Sequence, residues 1–137
     1  MLRLPPSVHE QVVAHALDGL PEEACGLLAG SPGTDEVARF YPCRNAAASA
    51  KLYEVHPLDH LHADRDAEAE GLQIVGVVHS HTHTPAYPSP TDVAQAPDPT
   101  WHYVIVSLAM EHPEPDVRSY RIVDGQIEEE PVVLEPR

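Results

Sequence analysis

Gln73-Ile74-Val75-Gly76-Val77-Val78-His79 is apolar on both of its alternating sides. A strand with this pattern has no face suited to water, so it reads as the central strand of a sheet covered on each side. It delivers His79 and, two residues on, His81 at its C-terminal end. Upstream, Pro57 opens a helix that carries Leu58, Leu61 and many charges as far as Gly71. Downstream, the loop 82–88 leads into Ser89-Pro90-Thr91-Asp92. There Ser89 can cap, Pro90 can take the first helical position and Asp92 suits the positive helix end, which predicts a short helix through Ala96.

Residues 101–108 are rich in β-formers, and 117–123 with 126–133 form a hairpin around Asp124-Gly125. On the N-terminal side, Ser7-Val8-His9-Glu10 has the form of a capping box, which predicts a helix over 7–18 with Gly19 as its stop. Residues 23–29 form a short apolar strand closed by Gly30-Ser31-Pro32-Gly33, and 37–41 a further strand. Residues 45–51 read as a loop and 53–55 as a brief strand. Helices and strands interleaved in this way predict an α/β or α+β sandwich.

A chain of 137 residues with 42% hydrophobic content is long enough to bury one core, and one domain over 1–137 is predicted. No run approaches the roughly 20 apolar residues of a membrane span, and the N-terminal stretch lacks the apolar centre of a secretory signal. A soluble, cytoplasmic protein is therefore expected. Acidic residues outnumber basic ones 22 to 8, for a formal charge of -14. Nucleic acid is a poor partner for such a surface. Cys25 and Cys43 lack CxxC spacing, which excludes a cysteine-rich zinc site, and separate core thiols are expected rather than a disulfide.

The chemistry gathers around His79. Residues i and i+2 of a strand project from one face about 7 Å apart, so both imidazoles of His79-Ser80-His81 can converge on one ion while Ser80 points away. On a helix begun at Ser89, Asp92 shares that residue's face and can point back toward the strand end. Two imidazoles and a carboxylate leave a fourth tetrahedral position for water, the mark of a catalytic zinc site. Zinc brings the pKa of such a water only to about 7, so a carboxylate base is needed. Glu23, just after Pro21 at the entrance to an apolar strand, is the candidate, and Ser89 is a candidate oxyanion donor.

These positions match the signature of the JAMM (MPN+) metallopeptidases: an upstream glutamate, His-x-His, seven residues, then Ser-x-x-Asp. Glu23, His79, His81, Ser89 and Asp92 fill it without departure. The resemblance implies the MPN (JAB) fold, an α/β sandwich of the cytidine deaminase-like kind with a mixed central sheet flanked by helices. It also implies zinc-dependent hydrolysis of amide or isopeptide bonds at the C-terminus of ubiquitin-like proteins. The segments 21–30, 86–92 and 118–125 are similar to the small bacterial branch that includes the CysO-type hydrolases. That similarity implies a ubiquitin-like sulfur-carrier partner ending in Gly-Gly, with cysteine released.

Several residues compete for roles. Glu22 rivals Glu23 as base, but strand alternation and the family pattern, with the acid two residues after proline, favour Glu23. His83 shares parity with the ligands, yet lies where the strand should have ended, and is expected to line the cleft. His60 and His62 diverge by about 200° on a helix, the arrangement of a solvated face rather than a second site. Cys25 is expected to be a buried core thiol rather than a reactive one, and the resemblance implies that the loop holding Asn45 and Ser49 lies near the cleft. A deaminase would need H-x-E together with P-C-x-x-C, and no P-C-x-x-C occurs.

Overall fold

The computed structural model describes residues 1–109 and 114–135. In chain order the elements are β1 (Leu2–Leu4), α1 (Pro6–Asp18), β2 (Cys25–Gly30), β3 (Val37–Cys43), α2 (Pro57–Ala69), β4 (Gln73–His81), α3 (Pro90–Ala94), β5 (His102–Ser107), β6 (Asp116–Val123), β7 (Gln126–Glu130) and β8 (Val132–Leu134). A six-stranded sheet runs in the order β3-β2-β4-β5-β6-β7, and β1 pairs with β8 in a separate two-stranded sheet. In the main sheet only β4 and β5 run parallel, so the sheet is mixed as the sequence predicts.

The strand that decides the fold sits where its composition demands. β4 lies between β2 and β5, with one core on each face. Val78, Val104 and Val106 face α1, which buries Val8, Val12 and Ala16 against them. Val77, Tyr103 and Ile105 face the other way, toward Ala63 of α2. Leu28 pairs with Gly76 but Ala29 with Ile74, so Val75 is the extra residue of a β-bulge. Side-chain parity changes there. Val75 therefore joins the α1-side core while Ile74 packs on the α2 side. Gly76 cannot carry a side chain, because a Cβ there would lie 2.5 Å from the His102 carbonyl oxygen.

Three local expectations are corrected. The Ser7 capping box does not form: α1 starts at Pro6 with Pro5 at the cap position and no side-chain cap bond. Pro6 already has the φ of a first helical residue, so the helix begins one turn position earlier and Ser7 lies inside it. The second hairpin strand does not run through to Val133. Pro131 has no N–H to extend the ladder. The chain leaves the main sheet there and β8 pairs with β1, Leu2 opposite Val132. The brief strand at 53–55 reduces to one isolated bridge, Val55 with Asn45.

Candidate metal centre

β4 carries His79 and His81 on the same face as Val77, and both imidazoles are buried. α3 brings Asp92 to them. Ser89 is its N-cap, accepting a hydrogen bond from Asp92 N at 3.0 Å, while Ser89 N donates to Asp92 Oδ2 at 2.9 Å. This reciprocal capping box holds the carboxylate over the strand end. Asp92 Oδ2 lies 3.2 Å from His79 Nε2 and 3.0 Å from His81 Nε2, and the two nitrogens are 3.1 Å apart.

Three donor atoms at these separations outline one face of a small coordination polyhedron. Ligands bound at 2.0–2.1 Å in tetrahedral zinc lie about 3.3–3.4 Å from one another, so the residues present fit that ion. Among the described residues this is the one group of three or more such side chains close enough to hold a metal. Burial drives His79 below the ordinary histidine value despite the pull of Asp92, which favours the neutral imidazole that ligation requires. For His81, burial acts in the same direction, but the bonds to Asp92 and to the Pro85 carbonyl outweigh it and raise the value. Burial pushes the Asp92 carboxyl up, yet the hydrogen bonds from both histidines hold it well below the usual carboxylate range.

Glu23 approaches from β2's N-terminal side. Cys25 pairs with His79, and Ala24 and Ser80 continue the register through Ala24 N to Ser80 Oγ at 2.8 Å and Ser80 N to Ala24 O at 2.9 Å. Glu23 therefore stands across from His81. Its side chain is buried, and among the described residues Oε1 has no hydrogen-bond partner. Burial pushes the carboxyl up to about 7, His81 lowers it and Asp92 raises it further. Glu22 is exposed, and both glutamates precede the strand, so burial separates them rather than strand alternation.

The structure adds residues that sequence reasoning left at the margin. Asn45 Nδ2 donates to the Glu23 carbonyl at 2.9 Å and to the Leu52 carbonyl at 3.0 Å, and Glu23 N donates to Ser49 O at 2.7 Å. The loop expected near the cleft thus clamps the backbone of the candidate base. Tyr53 stacks on His79, with ring centroids 4.2 Å apart. Nothing in the local pattern of Tyr53 announces this, because its partner is far along the chain. His83 is exposed and bonds Thr82 Oγ1 at 2.9 Å. His60 and His62 do not converge: His60 pairs with Asp64 at 3.4 Å and packs against Trp101, while His62 lines a separate hollow with Tyr41 and Asp66. Cys25 and Cys43 are buried free thiols, both pushed up to about 12 mainly by burial.

A family model described as prokaryotic homologs of the JAB domain matches residues 5–123. A CysO-cysteine peptidase of Mycobacterium tuberculosis is 46% identical over 121 residues, covering 88% of this chain and 82% of that protein. A probable TtuB-protein conjugate cleaving protease of Thermus thermophilus is 34% identical over 127 residues, covering 92% of this chain and 79% of that protein. A solution structure of a Desulfitobacterium hafniense protein superposes with a TM-score of 0.91 at 37% identity, covering 100% of this chain and 94% of that one.

Proposed function

The chain belongs to the prokaryotic JAB family and is a hydrolytic enzyme, and from that premise we propose that it is a zinc metallopeptidase, one catalytic domain over 1–137, working in the cytoplasm. We propose as its substrate a ubiquitin-like sulfur-carrier protein whose C-terminal Gly-Gly is joined through an amide bond to cysteine. The observation that carries the reading is the convergence of His79 Nε2, His81 Nε2 and Asp92 Oδ2 within 3.2 Å of one another, beside a buried and unpartnered Glu23 carboxyl oxygen.

His79, His81 and Asp92 would hold the metal, which when bound supplies Lewis acidity toward the scissile carbonyl and eases loss of a proton from water. Glu23 takes that proton. Burial favours the protonated form of its carboxyl, the direction that suits a group which takes a proton from water and passes it to the departing amine of cysteine. Ser89 Oγ accepts from Asp92 N, which leaves its own hydrogen to donate to the oxyanion. The Gly-Gly terminus suits this site because glycine lets an extended tail bring its backbone close to buried groups.

The relatives support a ubiquitin-like substrate class, and the CysO-cysteine peptidase favours the cysteine adduct within it. The deciding experiment incubates zinc-loaded protein with a carrier-Gly-Gly-cysteine adduct and follows intact mass. Loss of the cysteine mass is expected, as is a fall of roughly a hundredfold or more in Glu23→Gln with its zinc retained. An intact adduct alongside cleavage of a lysine-linked conjugate of the same carrier would move the substrate to isopeptides. Full zinc in a protein with both His79 and His81 replaced by Ala would place the metal elsewhere.

A further inference from the structure

The two imidazoles of the centre are held in different ways. His81 follows the common pattern, in which a ligating histidine binds the metal through one nitrogen and is oriented by a hydrogen bond at the other. Its Nδ1 meets the Pro85 carbonyl at 2.8 Å, which fixes the tautomer and leaves Nε2 for ligation. His79 lacks any such bond. Its Nδ1 is buried and has no hydrogen-bond partner among the described residues, so no hydrogen bond at that nitrogen fixes its ring plane. What does contact the ring is Tyr53, stacked at 4.2 Å between centroids with planes 14° apart.

Tyr53 is itself well anchored. Asn45 grips the residue on each side of it: Asn45 Nδ2 donates to the Leu52 carbonyl at 3.0 Å, and Glu54 N donates to Asn45 Oδ1 at 3.0 Å. Ala46 N to Glu54 O at 2.8 Å and His56 N to Arg44 O at 3.0 Å complete the strap. The same Asn45 amide holds the Glu23 carbonyl, so one side chain ties the stacking ring and the candidate base to a common frame. Tyr53 also lines a cavity of about 440 Å³ with Leu27, Leu52, Val77 and Trp101, which His79 does not reach. Removing the ring would open that space to an imidazole that no hydrogen bond at Nδ1 restrains.

Resting on the metal-centre reading above, we propose that Tyr53 is a positioning residue of the centre, its ring face doing for His79 what the Pro85 carbonyl does for His81. The ring is what matters, because among the described residues no hydrogen bond of the Tyr53 hydroxyl enters the arrangement. Tyr53→Phe should therefore keep zinc affinity close to that of the unaltered protein. Tyr53→Leu and Tyr53→Met, which fill similar space without a planar face, should bind zinc about 10–100-fold more weakly, the usual cost of losing an orienting partner.

Zinc affinity is read by competition with a chromogenic chelator, and ligand geometry from the visible absorption of cobalt-substituted protein, with far-ultraviolet circular dichroism confirming that each variant is folded. A merely structural role would lower the melting temperature and leave affinity and spectrum unchanged. The expected result is weakened affinity and an altered cobalt spectrum in the Leu and Met variants, with both restored in Phe. If either folded variant binds zinc as tightly as the unaltered protein and shows the same cobalt spectrum, the role of Tyr53 is overturned while the centre stands. If the unaltered protein binds no zinc, the centre falls and this role falls with it.

Discussion

Glu23→Gln should make the metal-free protein more stable at alkaline pH while removing its activity. The Glu23 carboxyl is buried, Oε1 lacks a partner among the described residues, and burial holds it near 7 against an ordinary value of 4.5. Between those two pH values the folded state keeps a proton that the unfolded chain has released. Stability linked to this group is therefore fully present below pH 4.5 and lost as pH rises through about 7. At about 1.4 kcal/mol for each pH unit, the full effect is about 3 kcal/mol, and solvent screening brings the expected value to about 1–3 kcal/mol. Gln fills the same space with no charge to desolvate. Urea unfolding of both proteins in chelator at pH 4.5 and pH 8 should show their difference moving in favour of Gln by that amount, since carboxylates common to both cancel. A difference that is flat with pH, or that moves toward Glu, would refute the claim that burial governs this side chain.

Asp92→Asn removes the charge that both imidazoles face and should weaken zinc binding by more than the roughly 10–100-fold lost on altering an outer partner, as read by chelator competition. Gly76→Ala drives a Cβ to 2.5 Å from the His102 carbonyl between two paired strands, and a loss of about 1–3 kcal/mol or more should appear in thermal melts. Glu130 is buried with His102 Nδ1 at 2.6 Å and Ser119 Oγ at 2.8 Å. Burial raises its carboxyl, but these hydrogen bonds win and hold it at about 2. Its contribution is present above pH 4.5 and lost as pH falls through about 2, so Glu130→Ala should cost about 3 kcal/mol at pH 7 and progressively less in acid.

The centre was legible where its geometry follows from short-range periodicity. His79 and His81 sit two apart on a strand whose composition demands burial on both sides, and Asp92 sits one helical turn past a proline-primed cap. In each case the backbone repeat alone aims the side chain. The Ser7 capping box failed on the same kind of evidence, because a cap motif states only what a side chain can do. Pro5-Pro6 sets the local φ more firmly than a serine hydroxyl bond can. Pro131 likewise breaks a strand that composition would carry onward, and the broken end is what pairs with β1.

Asn45, Ser80 and Tyr53 were hidden for a different reason. Ser80 could be read as pointing away from the ligands, but its use as the acceptor for Ala24 N depends on the register between β2 and β4, which no local pattern states. Asn45 and Tyr53 act across the gap between a loop and two strands, and polar or aromatic residues in loops have many uses. The signature thus marks the atoms proposed to meet the ion and is silent on those that hold them in place. For His81 the holder is a backbone carbonyl, available from almost any residue in the loop. For His79 it is a particular ring face, so the sequence constraint at that side of the centre falls on Tyr53 rather than on the loop that follows the ligands.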